Sequence, residues 1–191
     1  YTWLGDVAHT VSGWRTLGYA DLGWEDFYGF YAASSPYVLF VSGNSPYQTA
    51  QQLFDAMRGD PSMKWGNAGL GSINQLTGSL MLEKLGLKGN SVPYDGGRSA
   101  AIKVVAGEVT WSWCGLSDIL DLAQSGDIRI LGICDSSPRE IDCAKGNYTV
   151  PSLLDDYPEL SDLQGLLYWG FRVSRDTPAD AVAKIRDAFQ S

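Results

Sequence analysis

The chain reads Lys64-Trp-Gly-Asn-Ala-Gly-Leu-Gly-Ser72 and, further on, Ser91-Val-Pro-Tyr-Asp-Gly-Gly-Arg98, and these two stretches decide its fold. In each, a short apolar run typical of a strand leads into a glycine-rich turn, and a helical pattern follows the turn. The first N–H groups of a helix have no partner within the helix. Both turns therefore predict positions where an anion can be held.

The alternation of strand and helix continues outward from these stretches, beginning at residue 36. We predict strands at 37–42, 63–66, 91–94, 108–113, 128–134 and 167–173. We predict helices from Pro46 (after a Ser45 cap) to Arg58, at 72–85, 98–106 and 116–124, after Pro151, and from Pro178 (after a Thr177 cap). Repeated βα units of this length predict an α/β fold with a mostly parallel sheet. Residues 1–36 and 135–165 do not follow this alternation of strands and helices.

The composition excludes several classes of protein. The chain has 191 residues, of which 45% are hydrophobic and 19% charged, as expected of a folded globular protein. Its formal net charge of −8 argues against a nucleic-acid partner, which would require clustered Lys and Arg. The sequence contains no run of about 20 apolar residues, so we predict no membrane-spanning helix.

Metal and cofactor sites are not indicated. The sequence has one histidine and three cysteines, and no Cys-x-x-Cys pair. Cys134 and Cys143 flank a short polar loop and form a candidate disulfide if the compartment is oxidising. Three reduced cysteines fit the sequence equally well, and Cys114 is left unpaired in either case.

The first glycine turn does not match a nucleotide-binding motif. A dinucleotide fingerprint requires a third glycine where this chain has Asn74, and a P-loop requires a Gly-Lys-Ser/Thr that is absent. The turn fits a general anion site, in which Gly69 and Gly71 allow close backbone approach and Ser72 caps the helix or donates to a ligand. A plain connection without a ligand fits equally well.

The second turn offers a comparable set of donors. In the functional interpretation, the amides of Gly96 and Gly97 hold a carboxylate together with the Tyr94 hydroxyl; in the alternative, Asp95 and the glycines simply make a tight turn. Arg98 either adds a bidentate clamp or stays hydrated. Trp113 ends the next strand and is predicted to form the pocket wall, because ligands of open α/β sheets gather at the carboxyl ends of strands.

The sequence offers few candidate catalytic residues. His9 is the only histidine, the chain lacks a Gly-x-Ser-x-Gly nucleophile elbow, and Cys114 has no activating context. We therefore favour a structural or ligand-lining role for His9 over a catalytic one, and expect that the chain is not an enzyme.

An ordered set of stretches resembles the solute-binding receptors of the tripartite tricarboxylate transporters (the TctC or Bug proteins). No single motif is diagnostic, but the stretches occur in the family's order along nearly the whole chain. They are Pro36-Tyr-Val-Leu-Phe-Val41, Trp65-Gly-Asn-Ala-Gly-Leu-Gly-Ser72, Val92-Pro-Tyr-Asp-Gly-Gly97, Val105-Ala-Gly-Glu-Val109, Ser125-Gly-Asp-Ile-Arg-Ile-Leu-Gly-Ile133 and Tyr168-Trp-Gly-Phe-Arg-Val-Ser-Arg-Asp-Thr-Pro178.

The resemblance implies a periplasmic-binding-protein-like (type II) architecture of two α/β lobes that close on a small carboxylate. Residues 1–36 and 166–191 would belong to lobe one and residues 37–165 to lobe two. Lobe one would be incomplete, because the family's first strand and final helices are missing. The resemblance implies that loop amides, hydroxyls and waters hold the ligand. The matching positions are Gly69, Gly71, Ser72, Tyr94, Gly96 and Gly97, with Ala8, His9 and Thr10 facing the cleft from lobe one.

We therefore expect an extracytoplasmic, periplasmic solute-binding protein that captures an organic carboxylate and delivers it to the membrane subunits of a transporter. Two alternatives stay open at this point. One is an α/β enzyme acting on a phosphorylated or carboxylated metabolite, with His9 or Cys114 as its only plausible catalytic groups. The other is a sensory domain of the same fold.

Overall fold

The computed structural model describes residues 2–6, 15–16, 18–143, 146–164 and 167–190. The chain divides into two compact units. The first unit comprises Tyr1–Ser34 and Leu167–Ser191, and the second comprises Ser35–Leu166.

Strands and helices are numbered here in chain order. The strands are β1 (Thr2–Asp6), β2 (Phe27–Ser34), β3 (Tyr37–Ser42), β4 (Lys64–Asn67), β5 (Asn90–Pro93), β6 (Trp111–Gly115), β7 (Ile128–Cys134), β8 (Arg139–Ile141), β9 (Tyr148–Val150) and β10 (Tyr168–Ser174). The α-helices are α1 (Ala50–Gly59), α2 (Ile73–Lys84), α3 (Gly97–Val105), α4 (Leu120–Ser125), α5 (Leu153–Asp156) and α6 (Ala179–Gln190). The 3-10 turns are Trp24–Asp26, Leu116–Asp118 and Pro158–Leu163.

The first unit is built on an antiparallel sheet with the strand order β1-β10-β2. Phe30 on β2, Val173 on β10 and Val182 on α6 form its small core. The helix α6 follows β10 after a turn and packs its apolar face on this sheet, as an amphipathic helix must to remove that face from water.

The second unit holds a five-stranded sheet with the strand order β5-β4-β6-β3-β7. The pairs β5/β4 and β4/β6 are parallel, whereas β3 is antiparallel to both of its neighbours, so four strands point one way and β3 points the other. The parallel strands are joined through α2 and α3, which is the connection that parallel neighbours require. The α/β class with a mostly parallel central sheet is confirmed.

The core of the second unit is dominated by aromatic side chains. Trp65 stacks on Trp111 at 5.1 Å between ring centroids, and Tyr37 stacks on Trp113 at 5.4 Å. All four side chains are at most 1% exposed. Strand β3 is central in the sheet, which explains why its sequence is a continuous apolar run with no polar alternation.

The sequence predictions hold for β3, β4, β5, β7, α2 and α3 to within one or two residues. The predicted start of α1 at Ser45–Pro46 is wrong, because Thr49 caps the helix by accepting from the Gln52 N–H, and the helix begins at Ala50. Residues 43–47 are not helical, and the Arg129 guanidinium donates to the carbonyl groups of Gly43, Ser45 and Tyr47 in this segment. Strand β2 and the β8–β9 hairpin were not predicted.

Gly78 provides a first testable prediction, because it is a helix-interior glycine that must stay a glycine. A Cβ at this position would lie 2.8 Å from two ring atoms of Trp65, whose ring is held by its stack on Trp111. Alanine is the better helix former by about 1 kcal/mol, but overpacking of a fixed core costs about 1–3 kcal/mol. We expect Gly78→Ala to lower the free energy of unfolding, measured by urea denaturation.

Gly59 is the matched control, since it is also in a helix but has no atom within 4 Å of its Cβ position. Gly59→Ala should leave stability unchanged or raise it. A Gly78→Ala variant as stable as Gly59→Ala would show that the Trp65 stack is free to move.

Candidate functional site

The candidate site lies at the carboxyl edge of the three adjacent parallel strands β5, β4 and β6. The loops that follow these strands meet there. A Cβ on Gly69, in the loop after β4, would lie 3.5 Å from the carbonyl oxygen of Tyr94, in the loop after β5. A Cβ on Gly97 would lie 2.6 Å from Oδ2 of Asp118, in the loop after β6. Open α/β sheets bind ligands at this edge.

The first turn is held by side chains of the chain itself. Asn67 Oδ1 accepts from the Gly69 N–H at 3.0 Å, and Gln75 Oε1 accepts from the Gly71 N–H at 2.7 Å. Ser72 Oγ caps α2 by accepting from the Gln75 N–H at 3.2 Å. Gly69 and Gly71 have φ of +117° and +71°, which explains the glycine at each position. The amides that the sequence offered to an anion are therefore already occupied.

In the second turn, the Gly96 N–H donates to the Tyr94 carbonyl at 3.1 Å, and Gly96 has φ of +92°. The Tyr94 ring is partly buried and packs against the core, with Cε2 3.4 Å from the Gly66 Cβ position. The role of the Tyr94 hydroxyl in holding a ligand stays a prediction.

The N–H groups that remain free lie in the first turns of the two helices that follow the glycine turns. Within the described part of the chain, no acceptor is found for the N–H groups of Ile73 and Asn74 in α2 or of Gly97, Arg98 and Ser99 in α3. Each set belongs to the first turn of a helix, where the peptide dipoles favour a negative charge. The site therefore offers the free N–H groups of two helix N-termini, each of which directly follows one of the glycine turns.

Asp118 belongs to this site, although the sequence analysis did not single it out. It ends the 3-10 turn after β6 and is half-buried, and burial raises the pKa of its carboxyl group. The signal was available, because an acid directly after the third of three neighbouring parallel strands falls at the same edge as the glycine turns.

The Arg98 side chain is partly exposed and is paired within the chain. Its guanidinium forms a two-pronged ion pair with Asp121, in which Nη2 lies 2.7 Å from Oδ2. This contact lowers the pKa of Asp121. Arg98 Nη1 also donates to the backbone carbonyl of Asp118 at 3.4 Å, so it ties the loop after β6 to α3.

The prediction that Trp113 forms the pocket wall is wrong. Its side chain is 0% exposed, stacks on Tyr37, and donates its indole N–H to Thr77 Oγ1 at 3.0 Å. Successive side chains of a strand alternate between the two faces of the sheet. In this sheet both faces of β6 are covered, because every residue of β6 is buried.

The three cysteines are free. The candidate Cys134–Cys143 disulfide is not formed, and the two thiols instead approach different carbonyls, those of Leu160 at 3.7 Å and Ala123 at 3.4 Å. Burial raises the pKa of Cys134 to about 12. Burial also raises the pKa of Cys114 well above its ordinary value, and a thiol that stays protonated is a poor nucleophile.

A cavity of about 470 Å³ lies elsewhere in the second unit, beside β7, the start of α1 and the β8–β9 hairpin. None of the residues predicted to bind the ligand lines it, although Cys143 of the candidate disulfide does. Among the described residues of its lining, Arg129 is the one cationic side chain, and its guanidinium donates to three backbone carbonyls. We therefore place the candidate site at the glycine turns, where donors remain available.

Ala8, His9 and Thr10 lie outside the described residues. Among the residues that are described, three or more metal-ligating side chains do not come together. The helices in that part of the chain are also too short or too polar to cross a membrane.

Several solved structures share this fold. A TctC solute-binding protein from Polaromonas, solved without ligand, is 21% identical with a TM-score of 0.71, and 98% of this chain covers 61% of that protein. MatC from Rhodopseudomonas palustris, solved with malate, is 17% identical with a TM-score of 0.82, and 99% of this chain covers 63% of it. An R. palustris protein solved with adipate is 20% identical with a TM-score of 0.69, at 86% and 53% coverage.

At these identities the structures establish the fold alone, and this chain spans about 61% of the length of the first of them. No curated protein sequence matches the chain. The family model described as "tripartite tricarboxylate transporter family receptor" matches residues 14–191, which is most of the sequence. The chain thus belongs to the receptor family of the tripartite tricarboxylate transporters.

Proposed function

We propose that this chain is the ligand-binding part of a periplasmic receptor that captures a small organic carboxylate and delivers it to the membrane subunits of a tripartite transporter. One observation carries the proposal. In a chain of this family, two helix N-termini with unpaired N–H groups lie side by side at the carboxyl edge of the sheet.

The chemistry of the site favours binding of an anion by neutral groups. Backbone N–H groups at a helix N-terminus hold a carboxylate without a salt bridge, and local dipoles act over a few ångströms. The net charge of −8 does not oppose this, because distant surface charges are screened within about 10 Å at moderate ionic strength. Ser72 adds a hydroxyl at the start of α2.

A binding role is favoured over catalysis. The enzyme alternative depended on Cys114 or His9, and Cys114 is buried with a raised pKa. Asp118, the half-buried acid of the site, has no histidine, cysteine thiolate or lysine beside it in the described residues that would form a nucleophile–base pair. We therefore propose that the protein binds its ligand without transforming it.

The lobe assignment remains part of the proposal. Residues 1–36 and 166–191 would form one lobe and residues 37–165 the other, and the division of the chain at Ser34 and Leu167 supports these limits. The contribution of His9 and Thr10 to ligand binding stays a prediction.

The direct test is calorimetric titration of the purified chain, after removal of any ligand carried through purification. Malate, succinate, adipate and citrate form a suitable panel of small carboxylates. We expect saturable binding of at least one member. A folded sample that binds none of them would overturn the proposal.

Ser72→Ala tests whether the start of α2 holds the ligand. The variant loses a helix cap, which costs about 1 kcal/mol of stability. It also loses a hydroxyl donor to a charged ligand, worth about 1.5–3 kcal/mol. We expect roughly a tenfold or larger loss of carboxylate affinity, measured by calorimetry.

Thr49→Ala is the matched control, because Thr49 caps α1 by the same contact, at 3.2 Å from the Gln52 N–H, away from the site. Thr49→Ala should lose about as much stability as Ser72→Ala, without any loss of carboxylate affinity. Equal affinity in both variants would place the ligand elsewhere.

A further inference from the structure

The cavity of about 470 Å³ beside β7 is a second place where the chain can hold a small molecule, separate from the glycine turns. It lies within the second unit, and its walls come from the start of α1, the end of α4, the strand β7 and the segment from β9 to α5. Its volume falls in the range of pockets that hold small molecules, about 300–1,000 Å³. The chemistry of the lining decides what kind of molecule fits.

The lining is built mainly from apolar side chains. They are Ala123, Ile128, Ile130, Leu131, Tyr148 and Leu153. All of these except Tyr148 are at most 3% exposed, so the core holds them in place. The Tyr148 hydroxyl has almost no accessible surface, so a molecule in the cavity meets the ring of this residue and not its hydroxyl. Such walls favour an apolar occupant.

The lining carries no net charge. Among its described residues the charged side chains are Arg129 and Asp156, one of each sign. The Arg129 guanidinium already donates to three backbone carbonyls, and Asp156 repels an anion. An ion that enters gives up its hydration without gaining an unshared partner of opposite charge, which is unfavourable. The cavity therefore favours a neutral molecule over an anion or a cation.

The hydroxyl and amide groups of the lining are largely bonded to other parts of the chain. The side chains with such bonds are Gln48, Thr49, Gln51, Thr149 and Ser152. Gln124 differs from them, since no hydrogen bond joins its side chain to another described residue. It is partly buried at the end of α4. Its amide can therefore offer both N–H donors and a carbonyl acceptor to a molecule in the cavity.

We propose that this cavity binds a neutral, largely apolar small molecule that carries one hydrogen-bonding group, and that this group pairs with the Gln124 amide. The inference is independent of the proposed carboxylate site, since none of the residues at the glycine turns lines the cavity. A carboxylate at the turns and a neutral molecule in the cavity can be bound at the same time.

The test uses two fluorescent dyes with the same ring system, phenylnaphthylamine, which is neutral, and anilinonaphthalene sulfonate, which is an anion. Fluorescence titration of the unaltered chain should show saturable binding of one phenylnaphthylamine per chain, at least about tenfold tighter than the sulfonate. Equal or tighter binding of the sulfonate, or no saturable binding of the neutral dye by folded protein, would overturn the inference. Neither result bears on carboxylate binding at the turns.

A competition measurement separates the two sites. A saturating carboxylate from the calorimetric panel should leave the affinity for phenylnaphthylamine unchanged. Displacement of the dye by the carboxylate would place the dye at the glycine turns and would overturn the inference. If no member of the panel binds, the proposed function fails, while the dye titration still tests the cavity.

Gln124→Trp tests the location, because the larger side chain fills space in the cavity from a partly buried position. The variant should lose at least about tenfold in affinity for phenylnaphthylamine. Ile102→Trp is the matched control, since it adds the same side chain at a position on α3 that is 51% exposed and outside the cavity. Unchanged dye affinity in folded Gln124→Trp would overturn the assignment to this cavity.

Gln124→Met tests the hydrogen bond, because methionine keeps the length of the side chain and removes the amide. The unaltered chain should bind phenylnaphthylamine about threefold to tenfold more tightly than phenylnaphthalene, which lacks the N–H group, as expected for one hydrogen bond. Gln124→Met should lose this preference while still binding phenylnaphthalene. The same preference in both proteins would contradict the role of Gln124.

Discussion

Replacing Trp113 with alanine is expected to destabilise the protein by about 3–5 kcal/mol. The side chain is fully buried, it stacks on Tyr37 with an angle of 6° between the rings, and its N–H is paired with Thr77. Truncation leaves a large cavity between β6 and α2 and leaves Thr77 Oγ1 without its donor. Since domains are stable by only about 5–15 kcal/mol, the urea midpoint should fall steeply.

Trp24→Ala is the control for this prediction. Trp24 is 67% exposed, so the same truncation there should change the free energy of unfolding by about 0.5 kcal/mol or less. A Trp113→Ala variant that keeps its stability but loses carboxylate affinity would reverse our correction. It would restore Trp113 as the wall of a ligand pocket.

The parts of the fold that were predictable are those whose local signals agree with their tertiary environment. Strand β3 is an unbroken apolar run because it is central in the sheet and buried on both faces. Helix α2 begins where Ser72 offers a cap and ends beside Gly86, which has φ of +62°. In both cases a few neighbouring residues suffice to define the element.

The parts that were missed depend on distant partners. Thr49 rather than Ser45 caps α1, and the turn before it is bound through its carbonyls by Arg129, more than 80 residues away in the sequence. Strand β2 has little alternation of apolar and polar residues, and it is defined by antiparallel pairing with β10 at the other end of the chain. Local propensity cannot report such contacts.

The candidate site was predictable in its place but not in its chemistry. The glycine turns predicted a site at the carboxyl edge of the sheet, and both turns lie at that edge. Which amides remain free, however, depends on side chains such as Asn67 and Gln75, whose bonds to Gly69 and Gly71 follow from packing. Asp118 lies at this edge because β6 pairs in parallel with β4, so the acid that follows β6 falls beside the glycine turns.

The second prediction with a large expected effect on stability concerns Arg129. Its guanidinium is half-buried and donates from Nη2 to the Gly43 carbonyl at 2.9 Å, and from Nη1 to the Ser45 and Tyr47 carbonyls at 3.2 and 3.3 Å. A hydrogen bond from a charged group contributes about 1.5–3 kcal/mol, and water entering the adjacent cavity would replace part of that contribution. We expect Arg129→Ala to lower the free energy of unfolding by about 2–4 kcal/mol, measured by urea denaturation.

Two further variants test whether the planar guanidinium group of Arg129, and not its charge alone, is needed for stability. Arg129→Lys keeps the charge but offers one compact ammonium to three separated carbonyls, so we expect it to recover less than half of the lost stability. Arg58→Ala is the surface control, because its ion pair with Asp55 is exposed and should contribute less than about 1 kcal/mol. If Arg129→Ala cost no more than Arg58→Ala, solvent would be satisfying the three carbonyls. The contacts of Arg129 would then not be what holds the turn before Thr49 in its non-helical conformation.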